Sequence, residues 1–62
     1  MNIVERIDAY CAKEGISIKE FERRCHIGNA AIHKWRVGLN KPRLETVMRI
    51  CEATGTDIGA WI

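Results

Sequence analysis

The sequence predicts an all-α fold: five helices in one small domain, residues 1–62. Three observations carry this. Apolar residues recur at helical spacing (i, i+3, i+4, i+7), and no stretch alternates as a strand would. Start and stop residues punctuate those runs, with Ser17 before one and Gly15, Gly38 and Gly55 closing others. Hydrophobic residues make up 47% of the chain, enough for a small core, while the single Pro42 and five glycines argue against disorder. At 62 residues the burial is marginal and the stability low.

In chain order, residues 2–14 form the first helix, with Ile3, Ile7, Tyr10 and Cys11 inward and Glu5, Arg6, Asp8, Lys13 and Glu14 outward. Gly15 supplies the left-handed position that ends it. Ile16 packs just before Ser17 as a hydrophobic staple, and Ser17 with Glu20 three residues later reads as a capping box opening the second helix. Ile18, Phe21 and Cys25 are its buried stripe. That stripe stops at His26-Ile27-Gly28, and a second one begins in a new phase with Ala31, Ile32 and Trp35. Two short helices joined by three or four residues containing Gly make a helix-turn-helix pair. Gly38 ends this third helix, about residues 29–37, and Leu39 is expected to tuck back onto the core. Residues 43–54 form the fourth helix, with Leu44, Val47, Met48 and Cys51 as its stripe and Ile50 widening it. Asp57 caps a last short helix from Ile58 to Ile62. Its Trp61 and Ile62 belong either to the core or to a patch for a second subunit.

At about 100° per residue, Ala31, Ile32 and Trp35 fall on one side of the third helix. Asn29, Ala30, His33 and Val37 fall on the other, with Lys34 and Arg36 on the flanks. That outer face holds no carboxylate. An amide and an imidazole for base edges, small apolar groups beside them and flanking cations suit the major groove of DNA. The surrounding charge agrees. Net charge is only +2, yet six basic residues and no acid lie between Arg23 and Leu44, while all eight acids lie outside. Such a run is a one-sided electrostatic footprint. Asn40, Lys41 and Arg43 suit a clamp on the sugar-phosphate strand, and Lys19 sits near the N–H groups opening the second helix, a site for a phosphate. Glu22 faces the next helix, where it either escapes to water or meets Arg23, Arg36 or His26.

Other function classes find little support. Cys11, Cys25 and Cys51 form no C-x-x-C and read as core thiols of a reducing compartment; His26 and His33 lie on different elements, so no metal site is expected. Cys25 and His26 are neighbours in sequence and diverge from the helix, which disfavours a thiol nucleophile and its base. With no paired acids and no phosphate-cradling Gly-rich loop, the chain is expected not to be an enzyme, and no cofactor or small-molecule ligand is evident. Charged residues follow Met1-Asn-Ile-Val at once and no long apolar stretch occurs, so a soluble, cytoplasmic protein without leader or membrane span is expected.

Ser17, Phe21, Ile27-Gly28, Ile32, Trp35, Gly38, Pro42, Leu44, Val47, Ile50 and Gly55 together resemble the Cro/phage-repressor type of helix-turn-helix, the xenobiotic-response-element family of bacterial and phage regulators. The likeness runs over nearly the whole chain. It implies a lambda-repressor-like bundle of five helices that binds double-stranded operator DNA, usually as a dimer on a palindrome, with the third helix in the major groove. Carried over by position, the base-reading residues fall on Asn29 and Ala30, then on His33 with Lys34 beside it. The phosphate contacts of the second helix's first turn fall on Ser17, Ile18 and Lys19, and those of the loop on Asn40 and Lys41, with Arg36 and Arg43 as further cations. Three departures stand out. Ile18 replaces a frequent Gln, leaving Lys19 to substitute. Glu22 and His26 replace a small residue and a Gly, which bears on the tightness of the turn. Thr54 and Thr56 replace apolar residues, which predicts a loosely packed C-terminal end. The competing reading is an antitoxin-like or phage accessory protein that uses the fold for protein contacts through Trp61-Ile62 or Val37 and Leu39.

Overall fold

The computed structural model describes residues 2–62. Four α-helices follow one another: α1 (Ile3–Glu14), α2 (Ile18–Cys25), α3 (Ala31–Arg36) and α4 (Leu44–Thr54), then a single 3₁₀ turn, Ile58–Ala60. Each boundary has a local cause. Asn2 Oδ1 accepts the Glu5 N–H at 2.9 Å, so α1 begins one residue later than periodicity suggests. Gly15, at φ 67°, turns the chain out of α1. Ser17 Oγ accepts the Glu20 N–H at 3.0 Å and opens α2. The capping box is half made, because the Glu20 side chain turns instead to Arg23 and Arg24.

The last expected helix is absent as an α-helix. Ile58–Ala60 holds only the Ala60 N–H to Asp57 O and Trp61 N–H to Ile58 O bonds, a turn too short to propagate. The described residues therefore form four α-helices where five were expected.

The core gathers one side of every element: Val4, Ile7 and Cys11 from α1, Phe21 and Cys25 from α2, Ile32 from α3, Val47 and Ile50 from α4, and Trp61. The short α2 touches each of the other three helices, so what α2 carries positions the rest. Trp61 is buried against Tyr10 and Phe21 in an aromatic cluster, with ring centroids 5.8 and 6.1 Å away, so of the Trp61-Ile62 pair only Ile62 faces outward. Arg6 Nη1 donates to Ala60 O at 3.0 Å and ties this end to α1.

Thr54 and Thr56 do not loosen the C-terminal end. Thr54 Oγ1 donates to Ile50 O at 2.7 Å, and the two hydroxyls lie 2.7 Å apart. A hydroxyl has one proton, so Thr56 must be the donor to Thr54, which leaves Thr56 Oγ1 to accept the Trp61 indole N–H at 2.7 Å. The relay closes every donor. Three expected core positions are exposed instead: Leu39, Leu44 and Met48. Leu39 is held outward because its N–H bonds to Lys34 O at 2.9 Å while Gly38, at φ 79°, reverses the chain away from the core. Leu44 and Met48 share one flank of α4, beside the strip centred on Val47 and Ile50, and no neighbouring element covers that flank.

Thr56→Val is expected to lower unfolding free energy by about 1–3 kcal/mol, since the buried indole N–H loses its acceptor. A urea titration reads this as a lower midpoint at unchanged slope, and an unshifted midpoint contradicts the relay.

Candidate nucleic-acid interface

The turn between α2 and α3 is tight although the residue at its sharpest point is not glycine. His26 closes α2 in the left-handed region, at φ 56°, ψ 39°. Its N–H bonds to Arg23 O at 3.3 Å, and the Ile27 N–H bonds to Glu22 O at 3.1 Å. This is the pattern that glycine usually makes, formed here at the cost of about 1–2 kcal/mol of left-handed strain. Arg49 Nη1 reaches across from α4 to His26 O at 3.4 Å.

A second left-handed residue follows. Ala30, at φ 63°, precedes α3, which begins at Ala31; the expected span of 29–37 contracts to Ala31–Arg36, with Asn29 and Ala30 in the turn. Alanine has no side-chain oxygen with which to cap a helix. Glu22 does the capping from α2: its Oε2 accepts the Ile32 N–H at 3.3 Å from ten residues back in the chain. Glu22 is buried, 6% exposed, and its negative charge meets the positive end of α3. None of the partners open to it from sequence, Arg23, Arg36, His26 or water, is the one it takes.

With the N-terminal end of α3 fixed, its two sides are set. Ile32 is fully buried, and Ala31 and Trp35 are half-buried. His33 is exposed, as helical phase requires, with Lys34 exposed on its flank, and Asn29 and Ala30 are exposed in the turn that precedes the helix. Beside them, Ser17, Lys19 and Asn29 line one groove of about 500 Å³ together with Glu20 and Arg23. On the far side, Arg36, Asn40 and Lys41 border a second groove of about 540 Å³ against the start of α1. The expected contact residues thus flank α3 on both sides. Arg43 is exposed, and its carbonyl accepts the Thr46 and Val47 N–H groups that open α4.

The electrostatics differ from the linear count. Arg23 and Arg24 both pair with Glu20, at 2.6 and 2.9 Å, and their guanidinium groups hold its carboxyl at about 2, Arg23 contributing most. Arg36 makes a two-pronged pair with Asp8 of α1, at 2.8 and 2.9 Å, which depresses the Asp8 carboxyl. Of the six cations between Arg23 and Leu44, Lys34, Lys41 and Arg43 carry no carboxylate partner among the described residues. Neither acid covers the Asn29–His33 strip, which stays exposed.

The cysteines lie apart from this surface, in and beside the core. Cys11 and Cys25 are buried free thiols, and burial pushes Cys25 up to about 11, so it is protonated and inert. Among the described residues no three His, Cys, Asp or Glu side chains are grouped to hold a metal ion. No helix among them is long and apolar enough to cross a membrane.

The family model of the Cro/C1-type HTH DNA-binding domain matches residues 6–59, from the first turn of α1 into the 3₁₀ turn. The chain belongs to that family. Neither the curated proteins nor the solved structures give a match to the chain itself. In this Cro/C1-type domain, sequence reasoning placed the outward strip of α3 but missed two acids that shape its surroundings. Glu20 was open to detection, because Arg23 and Arg24 stand three and four residues beyond it on one helix. Asp8 was not, because 28 residues separate it from Arg36.

Glu22→Ala is expected to destabilise the domain by about 1–3 kcal/mol, leaving the start of α3 without its acceptor, while Glu22→Gln keeps an acceptor and costs less than half as much. His26→Gly is expected to shift stability the other way, by about +1 kcal/mol, by removing left-handed strain. Denaturant midpoints for the three variants check both signs, and equal losses for Ala and Gln contradict the cap.

Proposed function

We propose that this Cro/C1-type domain is a sequence-specific double-stranded DNA-binding transcriptional regulator, a repressor without enzymatic activity, that lays α3 in the major groove. The observation carrying the reading is the exposed, carboxylate-free strip of Asn29 and Ala30 in the turn and His33 and Lys34 on α3, a helix whose opposite side is anchored by the fully buried Ile32. The Asn29 amide suits a two-bond contact to adenine N6 and N7, and His33 a bond to guanine or a phosphate. Ala30 leaves room for a thymine methyl, and Lys34 lies beside both. Ser17 and Lys19 at the start of α2, and Asn40, Lys41 and Arg43 beyond α3, take phosphates on the two sides of the groove. Arg36 joins them only by releasing Asp8. A dimer on a palindromic operator, in the cytoplasm of a bacterium or a phage-infected cell, completes the proposal.

The competing reading, a protein-interaction module on the same fold, is favoured by the outward Val37 and Leu39, at 54% and 73% exposure. Retention on bulk duplex DNA separates the two: a regulator is released as salt rises, and an interaction module is barely retained.

Selection from random duplexes is expected to return a defined motif. On it, Asn29→Ala should cost about 1–3 kcal/mol and relax one base position. Lys41→Ala should weaken all sequences alike and reduce the salt slope by about 1. If both variants bind the selected duplex as tightly as the parent, the docking is wrong.

A further inference from the structure

The acid inside the basic surface is the feature that DNA binding does not by itself require. Glu20 lies on the first turn of α2, and its two oxygens take three hydrogen bonds: Arg23 Nε at 2.9 Å, Arg23 Nη2 at 2.6 Å and Arg24 Nε at 2.9 Å. Glu20 and Arg23 line the same groove as Lys19 and Asn29. Both arginines remain exposed, so a phosphate can reach them, but each already has a carboxylate in the place a phosphate oxygen would take.

We propose that Glu20 is a built-in counter-ion that keeps Arg23 and Arg24 from neutralising DNA phosphates, and so limits binding to DNA regardless of sequence. The inference rests on the DNA-binding reading above and deepens it. A phosphate that approaches either guanidinium must displace Glu20 or share the cation with it, and it meets the carboxylate's negative charge at short range. A cation already neutralised by its own chain adds little to the release of counterions from the duplex, which is the source of sequence-independent affinity. Lys19, Lys34 and Lys41, which have no such partner among the described residues, carry that affinity instead. The guanidinium groups hold the Glu20 carboxyl at about 2, so the counter-ion keeps its charge throughout the neutral range. Base reading by Asn29 and His33 then contributes a larger share of the total, which favours an operator over bulk DNA.

The test is a salt titration of binding to a random-sequence duplex, by fluorescence anisotropy, for the parent chain, E20Q, the triple variant E20Q/R23Q/R24Q and the distant control E52Q on α4. Circular dichroism melts establish that each is folded. E20Q is expected to bind about tenfold tighter at low salt, with a salt slope steeper by about one to two, as one or two phosphate contacts are added. The triple variant is expected to lose that gain, and E52Q, with the same change in net charge, to gain less than about twofold. An E20Q slope and affinity equal to the parent's overturn the proposal. So does a gain that survives in the triple variant or is matched by E52Q. If neither the parent nor E20Q binds duplex at low salt, the DNA-binding reading itself falls.

Discussion

The hydrogen bond from the Ile32 N–H to the Glu22 carboxylate governs the geometry of this small domain. A six-residue helix is too short to persist by itself, and α3 receives no cap from the residue before it, which is Ala30. Its direction is therefore set from outside, by one buried acid on α2 and by Ile32 in the core. Because α2 also contacts α1 and α4, the orientation of the outward strip is tied to the whole hydrophobic interior. A buried carboxylate without a partner would be strongly destabilising, and here the positive end of α3 supplies the partner. The acid and the helix each satisfy what the other lacks. The same contact accommodates two left-handed residues that are not glycine, since a turn fixed at both ends tolerates local strain.

The second organising feature is the placement of acids around a basic surface. Along the chain, the segment from Arg23 to Leu44 carries cations alone. In three dimensions Glu20 and Asp8 return to it and engage three of its six basic residues. Both acids lie to the sides of α3, leaving Asn29, Ala30 and His33 clear. The surface therefore combines an exposed strip without carboxylates, three cations with no carboxylate partner among the described residues and a set of arginines already matched. Exposed pairs of this kind contribute little to folding stability. In the proposed function their effect is on the field that a nucleic acid meets.

The helix ends that were legible are written in local chemistry: Ser17, Gly15, Gly38 and Gly55 act within a few residues of the ends they mark, whereas the start of α3 was not, because its acceptor, Glu22, lies ten residues before Ile32. The outward side of α3 at His33 was legible for a related reason, since helical phase needs only sequence spacing; Asn29 and Ala30 are exposed too, but in the turn and not on the helix expected for them. Harder to read was the extent of each buried stripe. Periodicity marked Leu44 and Met48 as apolar face, but which part of a face is covered depends on neighbours that 62 residues are too few to supply. The expected fifth helix shrank to a 3₁₀ turn, and Trp61 joined the core through a threonine relay that spacing does not encode. Glu22 and Asp8 are the clearest cases. Each finds a partner ten or more residues away, and only the packed fold decides between that partner and the others within reach.

Under the proposed function, these features together present one side of α3, and the ends of the segments flanking it, to a duplex. Amide chemical-shift mapping of the labelled protein, titrated with a duplex obtained by selection, tests this most directly. The account predicts the largest changes at Ser17–Lys19, Gly28–Lys34 and Asn40–Lys41, with the amides of α1 and of the 3₁₀ turn nearly still. Changes centred instead on Leu44, Met48 and Ile62, with the Asn29–His33 strip unaffected, would contradict it.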